Sequence, residues 1–432
     1  MLQYYLKKII RQLLTFNKIL PQLENNFYLP EEKIVQYQNE ELKKLIIHCY
    51  RNVPYYTDLF KKLHLTPEDI QTKEDLLKLP YLTKEDVRKN EDKLLAKNKL
   101  KLLANKVGTS GTTGTPLKLV RDYTSINFEN AFLWRFYRHC GDNGLKRITL
   151  RGTVIIPSEQ NEPPFWNYNP SCQELVMSSY HLSKKNIFSY INKINEFKPD
   201  ILYAYPSTAN LLASLYNNFN ETYTFKAIFT SSESLSEEQR NFIEKTFNTK
   251  IFDWYGQAER VCAIAQCSKG TYHIVEDYAI TEFIETDEGL ELVGTPLFNY
   301  IMPLIRYKTG DIVELKSIKC PCHSKFQTVS KIIGRKNQYY YFYTQDGAQI
   351  LTFDHIPRGV ENIVETQFIQ ENINELIINL VPTEKFSEAN EAQMRQNVID
   401  RLGPSVKILI NKTDKIPRGK NGKFENVINR IK

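Results

Sequence analysis

Between residues 180 and 256 the sequence alternates strand-like and helix-like stretches, and this alternation limits the folds that the chain can adopt. Short apolar stretches typical of buried strands alternate with amphipathic stretches typical of helices. In chain order they are residues 183–197, 201–205, 207–217, 225–230, 236–247 and 251–255. Parallel neighbouring strands need a crossover helix, so repeated βα units predict an α/β fold with mainly parallel sheets. Ligands of such sheets bind at the carboxyl ends of the strands.

Two flanking regions complete the predicted architecture. Residues 40–90 have the apolar spacing of helices and predict a helical lobe. Beyond a composition shift at residues 334–337, a strand, helix and strand pattern predicts a smaller α/β domain. Its predicted elements are residues 375–381, 387–402 and 406–410. We therefore predict a large N-terminal domain of residues 1–336 and a small C-terminal domain of residues 337–432.

Two polar loops follow predicted strands at the edge where ligands bind. One contains Ser232, Glu233 and Ser234, and the other contains Tyr255, Gly256 and Glu259. Their position at strand ends favours a binding site. The plain alternative is that the first loop only ends a strand and caps a helix, and that Glu259 is a surface carboxylate.

A third loop, residues 107–116, is rich in glycine and in hydroxyl side chains. Glycine lets the backbone approach a ligand closely, and the hydroxyls add donors beside the main-chain N–H groups, which suits a phosphate. The residues expected to face that phosphate are Thr109, Ser110, Gly111, Thr112, Thr113 and Gly114. The loop is not a Walker A motif, because no Gly-Lys-Ser/Thr follows at the required spacing. A polar hairpin or linker is the alternative.

Paired cysteine and histidine residues predict a metal site. Cys267 and His273 are followed about 50 residues later by Cys320 and Cys322. Three thiolates and one imidazole suit tetrahedral Zn²⁺, and four protein ligands leave no open position, so we expect a structural zinc. His323 or Cys262 remain open as substitute ligands. Free cysteines without a metal are the alternative.

Composition and charge narrow the functional classes. The chain of 432 residues is 41% hydrophobic and 25% charged, which is ordinary for a globular protein. Its formal charge of +7 is modest and argues against a nucleic-acid partner. No apolar run reaches the roughly 20 residues of a transmembrane helix. Residues 2–20 form a basic amphipathic pattern that we expect to pack on the protein, with a peripheral membrane contact as the alternative. Seven unevenly placed cysteines without a recognisable signal peptide predict a cytoplasmic protein.

The order of these motifs resembles that of the adenylate-forming superfamily. Within it, the sequence is most similar to the phenylacetate–CoA ligase family, and there to the branch associated with capsular polysaccharide biosynthesis. The resemblance runs from residues 51–56 to residues 422–423, and the branch pattern appears at residues 164–166, 179–183 and 205–207. It implies an ATP-dependent, AMP-forming ligase that converts a small carboxylic acid into an acyl-adenylate and pyrophosphate.

The resemblance leaves the second step open. The acyl group would pass to CoA, as in the wider family, or to an amine or hydroxyl group of a cell-surface saccharide. An alternative from another class is a non-catalytic nucleotide-binding scaffold of a polysaccharide assembly complex.

The resemblance also implies roles for the nucleotide-binding residues. The loop from Thr109 to Gly114 would bind the β- and γ-phosphates, and residues 232–234 would border adenine. Tyr255 would stack on that base at the end of its strand, beside Gly256. Asp311, in the motif of residues 307–311, would accept hydrogen bonds from the ribose hydroxyls. Arg335 would reach toward the nucleotide.

Two catalytic residues are implied as well. Glu259 stands where the family places its Mg²⁺ ligand, and a carboxylate beside phosphates suits that ion. Lys423 resembles the lysine of a mobile loop that stabilises charge on the reacting phosphate, with Lys420 as its rival. The family rotates its C-terminal domain between the two steps, about a hinge expected at Lys336 or Asn337.

Overall fold

The computed structural model describes residues 18–98, 104–108, 117–157, 160–287, 289–335, 342–343, 349–350, 356–357, 359–419, 422 and 424–431. The chain forms two compact units, each built from two separate stretches of sequence. The first unit comprises residues 1–143 and 252–336, and the second comprises residues 144–251 and 337–432. The predicted boundary between an N-terminal and a C-terminal domain after residue 336 stays a prediction.

The α-helices of the described residues follow the predicted pattern closely. They are α1 (Leu20–Asn26), α2 (Glu31–Asn52), α3 (Pro54–Lys62), α4 (Lys84–Lys89), α5 (Tyr123–His139), α6 (Ile187–Phe197), α7 (Pro206–Asn218), α8 (Glu237–Phe247) and α9 (Glu388–Leu402). Capping boxes begin several of them, because a side chain at the N-cap and another three residues later satisfy backbone N–H groups that the helix leaves unpaired. The N-cap residues of these boxes include Thr83, Ser236 and Ser387.

The strands include short edge strands and one long meander. They are β1 (Asn105–Gly108), β2 (Lys118–Arg121), β3 (Arg147–Leu150), β4 (Trp166–Asn169), β5 (Glu174–Met177), β6 (Ile201–Ala204), β7 (Ala227–Ser231), β8 (Ile251–Gly256), β9 (Ala263–Gln266), β10 (Tyr272–Ile274), β11 (Ala279–Thr286), β12 (Gly289–Pro296), β13 (Tyr307–Leu315), β14 (Thr328–Arg335), β15 (Phe342–Tyr343), β16 (Gln349–Ile350), β17 (Ile363–Asn372), β18 (Glu375–Pro382), β19 (Lys407–Lys412) and β20 (Val427–Asn429).

The first unit combines the helical lobe with antiparallel strands. Strands β1 and β2 form a hairpin in which Gly108 pairs with Lys118. Strands β8 to β14 pair in the order β11-β12-β13-β14-β10-β9-β8, with antiparallel neighbours. This arrangement brings the end of β8, with the predicted residues Tyr255 and Gly256, into one unit with the strand β13, which carries Asp311.

The second unit contains the parallel sheet that the βα alternation predicts. Strands β5, β3, β6 and β7 are parallel neighbours, and residues 201–204 of β6 are buried. Long apolar burial on both faces is typical of such strands. The four prolines of residues 157–170 predict an irregular loop, and this prediction is wrong in part, because Trp166–Asn169 forms β4 and pairs antiparallel with β5. The sequence Trp-Asn-Tyr-Asn did not mark this strand, because none of its four residues is buried and an edge strand needs little apolar burial.

The C-terminal part of the second unit has its own small sheet and core. Strands β17 to β20 pair in the order β19-β18-β17-β20, and α9 packs its buried Met394 and Val398 against Phe368 and Ile378. A second set of apolar side chains from this part, Val364, Val381 and Ile416, joins the core cluster of residues 148–251. The mixed α/β class is confirmed. Within the ranges described above, no helix combines the length and apolar character needed to cross a lipid bilayer.

Candidate functional site

Two hydrogen bonds from tyrosines to carboxylates tie the end of β8 to β13. The Tyr255 hydroxyl donates to Asp311 Oδ2 over 2.6 Å, and the Tyr307 hydroxyl donates to Glu259 Oε1 over 3.1 Å. Each segment therefore supplies one tyrosine and one acid. The prediction singled out Tyr255, Glu259 and Asp311, and the structure brings them into one cluster. Tyr307 was missed as a partner, although it opens the same five-residue motif as Asp311.

Both acids of this cluster are buried. Glu259 and Asp311 are each 6% exposed. Among the described residues no hydrogen-bond partner meets Glu259 Oε2, which lies beneath the surface. A buried carboxylate oxygen without a donor is costly, and a bound cation removes that cost. The Glu259 side chain therefore fits the Mg²⁺ ligand that the resemblance implies.

The backbone around Tyr255 explains the glycine that follows it. A Cβ atom on Gly256 would lie 2.9 Å from Trp254 Nε1, so a side chain at this position would clash with the indole ring. The glycine lets the end of β8 pass close to that ring. This is a packing reason for Gly256, and its predicted contact with the nucleotide stays a prediction.

One arginine side chain approaches the same turn from the hairpin that flanks the glycine-rich loop, and a second belongs to the turn itself. Arg121, the last residue of β2, donates a hydrogen bond from Nη2 to the carbonyl oxygen of Ala258. Burial, and secondarily the nearby Arg260, lower the pKa of Arg121 to about 10. Arg260 Nη1 donates to the carbonyl oxygen of Ser125 over 3.3 Å. No motif pointed to Arg121 beyond its position just after the loop.

The loop of Ser232, Glu233 and Ser234 belongs to the second unit. It connects β7 to α8, and Ser232 has a positive φ of 73°. Glu233 uses both carboxylate oxygens on backbone donors of its own unit. Oε2 accepts from Ser207 N over 3.0 Å, and Oε1 accepts from Phe424 N over 3.1 Å.

Several predicted residues lie outside the described part of the chain. They are Thr109, Ser110, Gly111, Thr112, Thr113, Gly114, Lys336, Asn337, Lys420 and Lys423. For Arg335 only the backbone is described, and it lies opposite Asp311 in the pairing of β13 with β14. The roles of all these residues stay predictions.

The predicted zinc ligands come together in the first unit. Donor atoms of Cys267, His273, Cys320 and Cys322 lie within 4.8 Å of one another. Cys267 Sγ is 3.5 Å from Cys320 Sγ, and Cys322 Sγ is 3.4 Å from His273 Nε2. These separations are close to those between ligands of one tetrahedral zinc, whose bonds are about 2.0–2.3 Å long.

Surrounding backbone groups orient this cluster. His273 Nδ1 lies 3.1 Å from the carbonyl oxygen of Phe326, which can only accept, so in the neutral ring Nδ1 carries the proton. The lone pair of Nε2 then faces the thiols, which is the usual arrangement of a metal-binding histidine. Lys269 N donates to Cys267 Sγ over 3.4 Å.

The two substitute ligands that the sequence left open do not belong to the cluster. His323 is exposed, and Cys262 Sγ accepts a hydrogen bond from Gln257 Nε2 over 3.0 Å. Burial raises the pKa of Cys262 to about 12, so its thiol stays protonated.

Comparison with known proteins identifies the family to which the chain is related. Residues 342–430 match the CapK C-terminal domain. The protein CapK of Staphylococcus aureus is 30% identical over 406 residues, covering 92% of this chain and 90% of that protein. A phenylacetate–coenzyme A ligase of Thermus thermophilus is 23% identical over 448 residues, covering 94% of this chain and 98% of the ligase.

Solved structures agree with this relationship at the level of the fold. A 2-hydroxyisobutyryl-CoA ligase in complex with 2-HIB-AMP superposes with a TM-score of 0.69, covering 94% of this chain and 91% of that one at 17% identity. The resemblance drawn from the motifs is thereby confirmed. The chain belongs to the CapK branch of the phenylacetate–CoA ligase family, within the ATP-dependent, adenylate-forming ligases.

Proposed function

We propose that the protein joins a small carboxylic acid to AMP and then passes the acyl group to CoA. In the first step a carboxylate oxygen attacks the α-phosphorus of ATP, a new oxygen–phosphorus bond forms, and pyrophosphate leaves. In the second step the CoA thiol attacks the acyl carbon, its proton is lost, and AMP leaves. The observation that carries this proposal is the reciprocal pair of hydrogen bonds, Tyr255 to Asp311 and Tyr307 to Glu259.

Asp311 and Tyr255 are proposed to hold the nucleoside. Asp311 Oδ2 already accepts from the Tyr255 hydroxyl, so the carboxylate is held in one orientation. The Asp311 carboxylate would accept hydrogen bonds from the ribose hydroxyls, as charged acceptors do strongly. The aromatic face of Tyr255 would lie against the adenine. Arg335, Gly256 and residues 232–234 are the further nucleotide contacts that the family resemblance implies.

Glu259 is proposed to hold Mg²⁺ beside the phosphates. The hydrogen bond from Tyr307 fixes Oε1, and Oε2 is the oxygen that would coordinate the ion. When bound, Mg²⁺ would neutralise charge on the phosphate oxygens and orient the leaving pyrophosphate. The residues from Thr109 to Gly114 would supply backbone and hydroxyl donors to the same phosphates.

Lys423 is proposed as the catalytic cation. A positioned ammonium stabilises the negative charge that builds on the phosphate oxygens during attack, without forming a bond itself. Rotation of residues 337–432 about Lys336 or Asn337 would then withdraw Lys423 and admit the acceptor. Such domain motion is a recurring way to separate two half-reactions.

A second candidate exists for the molecule that accepts the acyl group. The relative named CapK is more similar to this chain than the named phenylacetate–coenzyme A ligases are, at 30% against 23–24% identity. This favours, as a second candidate, transfer without CoA to an amine or hydroxyl group of a capsular or other cell-surface saccharide. Membership of a ligase family argues against the non-catalytic scaffold.

We also propose a structural zinc held by Cys267, His273, Cys320 and Cys322. The four donors converge within 4.8 Å, and three thiols with one imidazole form a common structural zinc set. The two pairs come from segments about 50 residues apart, so the ion would link the turn before β10 to the segment before β14. It would take no part in the reaction, since the protein fills all four positions.

The test of the proposed reaction is carboxylate-dependent exchange of pyrophosphate into ATP, followed by acyl transfer. Aryl, fatty, hydroxy and amino acids form the first panel, and phenylacetate and 2-hydroxyisobutyrate belong to it. The acid that supports exchange is then supplied with ATP and with either CoA or amino sugars. Thioester formation supports CoA as acceptor, amide or ester formation supports the second candidate, and exchange with no acid argues against adenylation.

A further inference from the structure

The carboxylate of Glu233 connects two parts of the second unit through backbone N–H groups. One partner, Ser207 N, lies in the first turn of α7, and the other, Phe424 N, follows the predicted catalytic Lys423 in the sequence. An ionised carboxylate accepts from N–H groups about twice as strongly as a neutral oxygen does. Glu233 therefore fastens the end of the C-terminal segment to the loop between β7 and α8.

A second contact fastens the residue on the other side of Lys423. Gly422 has a positive φ of 72°, and a Cβ atom placed on it would lie only 1.9 Å from Gly152 Cα. Only glycine allows this backbone conformation and this approach together. Gly152 follows β3, so the two residues that flank Lys423 both dock on loops after strands of the parallel sheet.

Other residues of the C-terminal part also hold Phe424 in place. The Arg418 guanidinium lies 4.4 Å from the centre of the Phe424 ring and pairs with Glu365 through an Nη2–Oε1 distance of 2.7 Å. The Arg418 side chain is 4% exposed and that of Glu365 is 8% exposed. Phe424 is thus held between a buried ion pair and the Glu233 carboxylate.

The two bonds of Glu233 differ in what a domain rotation would do to them. Ser207 and Glu233 are separated by 26 residues within the parallel-sheet part, and their bond would persist in any position of the C-terminal domain. The bond to Phe424 N would break when that domain moves away. The bond from Ser207 N would keep the Glu233 carboxylate in its orientation, so that it could accept from Phe424 N again when the domain returns.

We propose that Glu233 is a positioning residue that docks the Lys423 segment for adenylation, and that its bond to Phe424 is released before acyl transfer. This inference rests on the proposed function. It assigns Glu233 a docking role in place of the adenine contact that the family resemblance implies for that residue, on the observation that both carboxylate oxygens accept from backbone donors. Glu233 would act through Lys423 and not on the nucleotide.

The variants Glu233→Gln and Glu233→Ala test the proposal, with Glu238→Gln as the matched control. Glu238 is exposed in the first turn of α8, five residues from Glu233. In pyrophosphate exchange with the acid that supports it, we expect both Glu233 variants to lower kcat about tenfold or more, with the KM for ATP changed less than about twofold. The control should match the wild type. A raised KM with an unchanged kcat would overturn the proposal, since it would indicate a nucleotide contact.

Hydrogen exchange measured by mass spectrometry provides a readout that needs no substrate. In Glu233→Ala we expect peptides covering residues 417–431 to exchange about tenfold faster, while peptides of β6 and α8 stay unchanged. Equal acceleration everywhere would indicate a general folding defect and would overturn the proposal, as would no acceleration. If the wild type shows no pyrophosphate exchange with any acid, the proposed function fails, and the hydrogen-exchange result still decides whether Glu233 docks the segment.

Discussion

The Tyr255 hydroxyl lies 2.6 Å from Asp311 Oδ2 and donates its proton to that carboxylate. This bond joins the end of β8 to β13, and the bond from Tyr307 to Glu259 joins the same two segments in the opposite direction. Because each acid is held by a tyrosine from the other segment, the distance between the proposed ribose ligand and the proposed Mg²⁺ ligand is fixed before any nucleotide arrives. Such preorganisation lowers the cost of binding.

Asp311→Asn is expected to weaken ATP binding more than Tyr255→Phe. Asparagine replaces a charged acceptor, whereas phenylalanine removes one donor and keeps the carboxylate and an aromatic ring. We expect the Kd for ATP to rise about tenfold or more for Asp311→Asn and about three- to tenfold for Tyr255→Phe. Titration calorimetry measures both, with the exposed Asp414→Asn as the control. Unchanged affinity in Asp311→Asn would contradict the ribose assignment.

Glu259→Gln is expected to affect the metal requirement. Glutamine can still accept the hydrogen bond from Tyr307, but it lacks the charge that attracts Mg²⁺. We expect pyrophosphate exchange to fall about a hundredfold and its half-saturating Mg²⁺ concentration to rise. The exposed Glu285→Gln serves as the control. A variant with the Mg²⁺ dependence of the wild type would remove Glu259 from the metal site.

Cys322→Ser is expected to remove the zinc. Elemental analysis of freshly purified wild type should give about one zinc per chain, and the variant should give far less, with a lower Tm. Cys172→Ser, which changes a cysteine outside the cluster, should keep both zinc and Tm. Wild-type protein without zinc would refute the structural-zinc proposal.

Gly422→Ala is expected to undock the C-terminal segment. The Cβ atom of the alanine would lie 1.9 Å from Gly152 Cα. No side-chain rotation relieves this clash, because the backbone fixes the positions of both atoms. Gly359→Ala is the matched control, because Gly359 also has a positive φ but its Cβ atom would meet nothing within 4 Å. We expect Gly422→Ala to lower pyrophosphate exchange about tenfold or more, while Gly359→Ala tests the backbone strain alone. Equal effects of the two variants would show that the close approach is unimportant.

The sequence was most informative where structure depends on local patterns. The βα alternation predicted α6 to α8 and β6 to β8 to within a few residues. The spacing of apolar residues that identifies each element can be read within one short stretch of the chain. The spacing of Cys267, His273, Cys320 and Cys322 also pointed to one cluster, which the structure assembles.

Contacts between segments that are distant in the chain could not be predicted from the sequence. Nothing near Glu233 indicates that its carboxylate accepts from Phe424 N, and nothing near Arg121 indicates that it reaches the carbonyl oxygen of Ala258. Nearly every residue has a backbone N–H and a carbonyl group, so no sequence motif marks one of them as a hydrogen-bond partner. Strand β4 was missed for a related reason, since its pairing with β5 depends on backbone groups and not on an apolar face.

Pyrophosphate exchange decides whether the protein adenylates a carboxylic acid with Lys423 as the catalytic cation. The measurement compares wild type, Lys423→Ala and the neighbouring Lys420→Ala with each acid of the panel. We expect exchange with one class of acid, a loss of about a hundredfold or more in Lys423→Ala, and near wild-type exchange in Lys420→Ala. Measurable ATP binding without exchange for any acid would argue against adenylation, and full exchange in Lys423→Ala would show that Lys423 is not the catalytic cation.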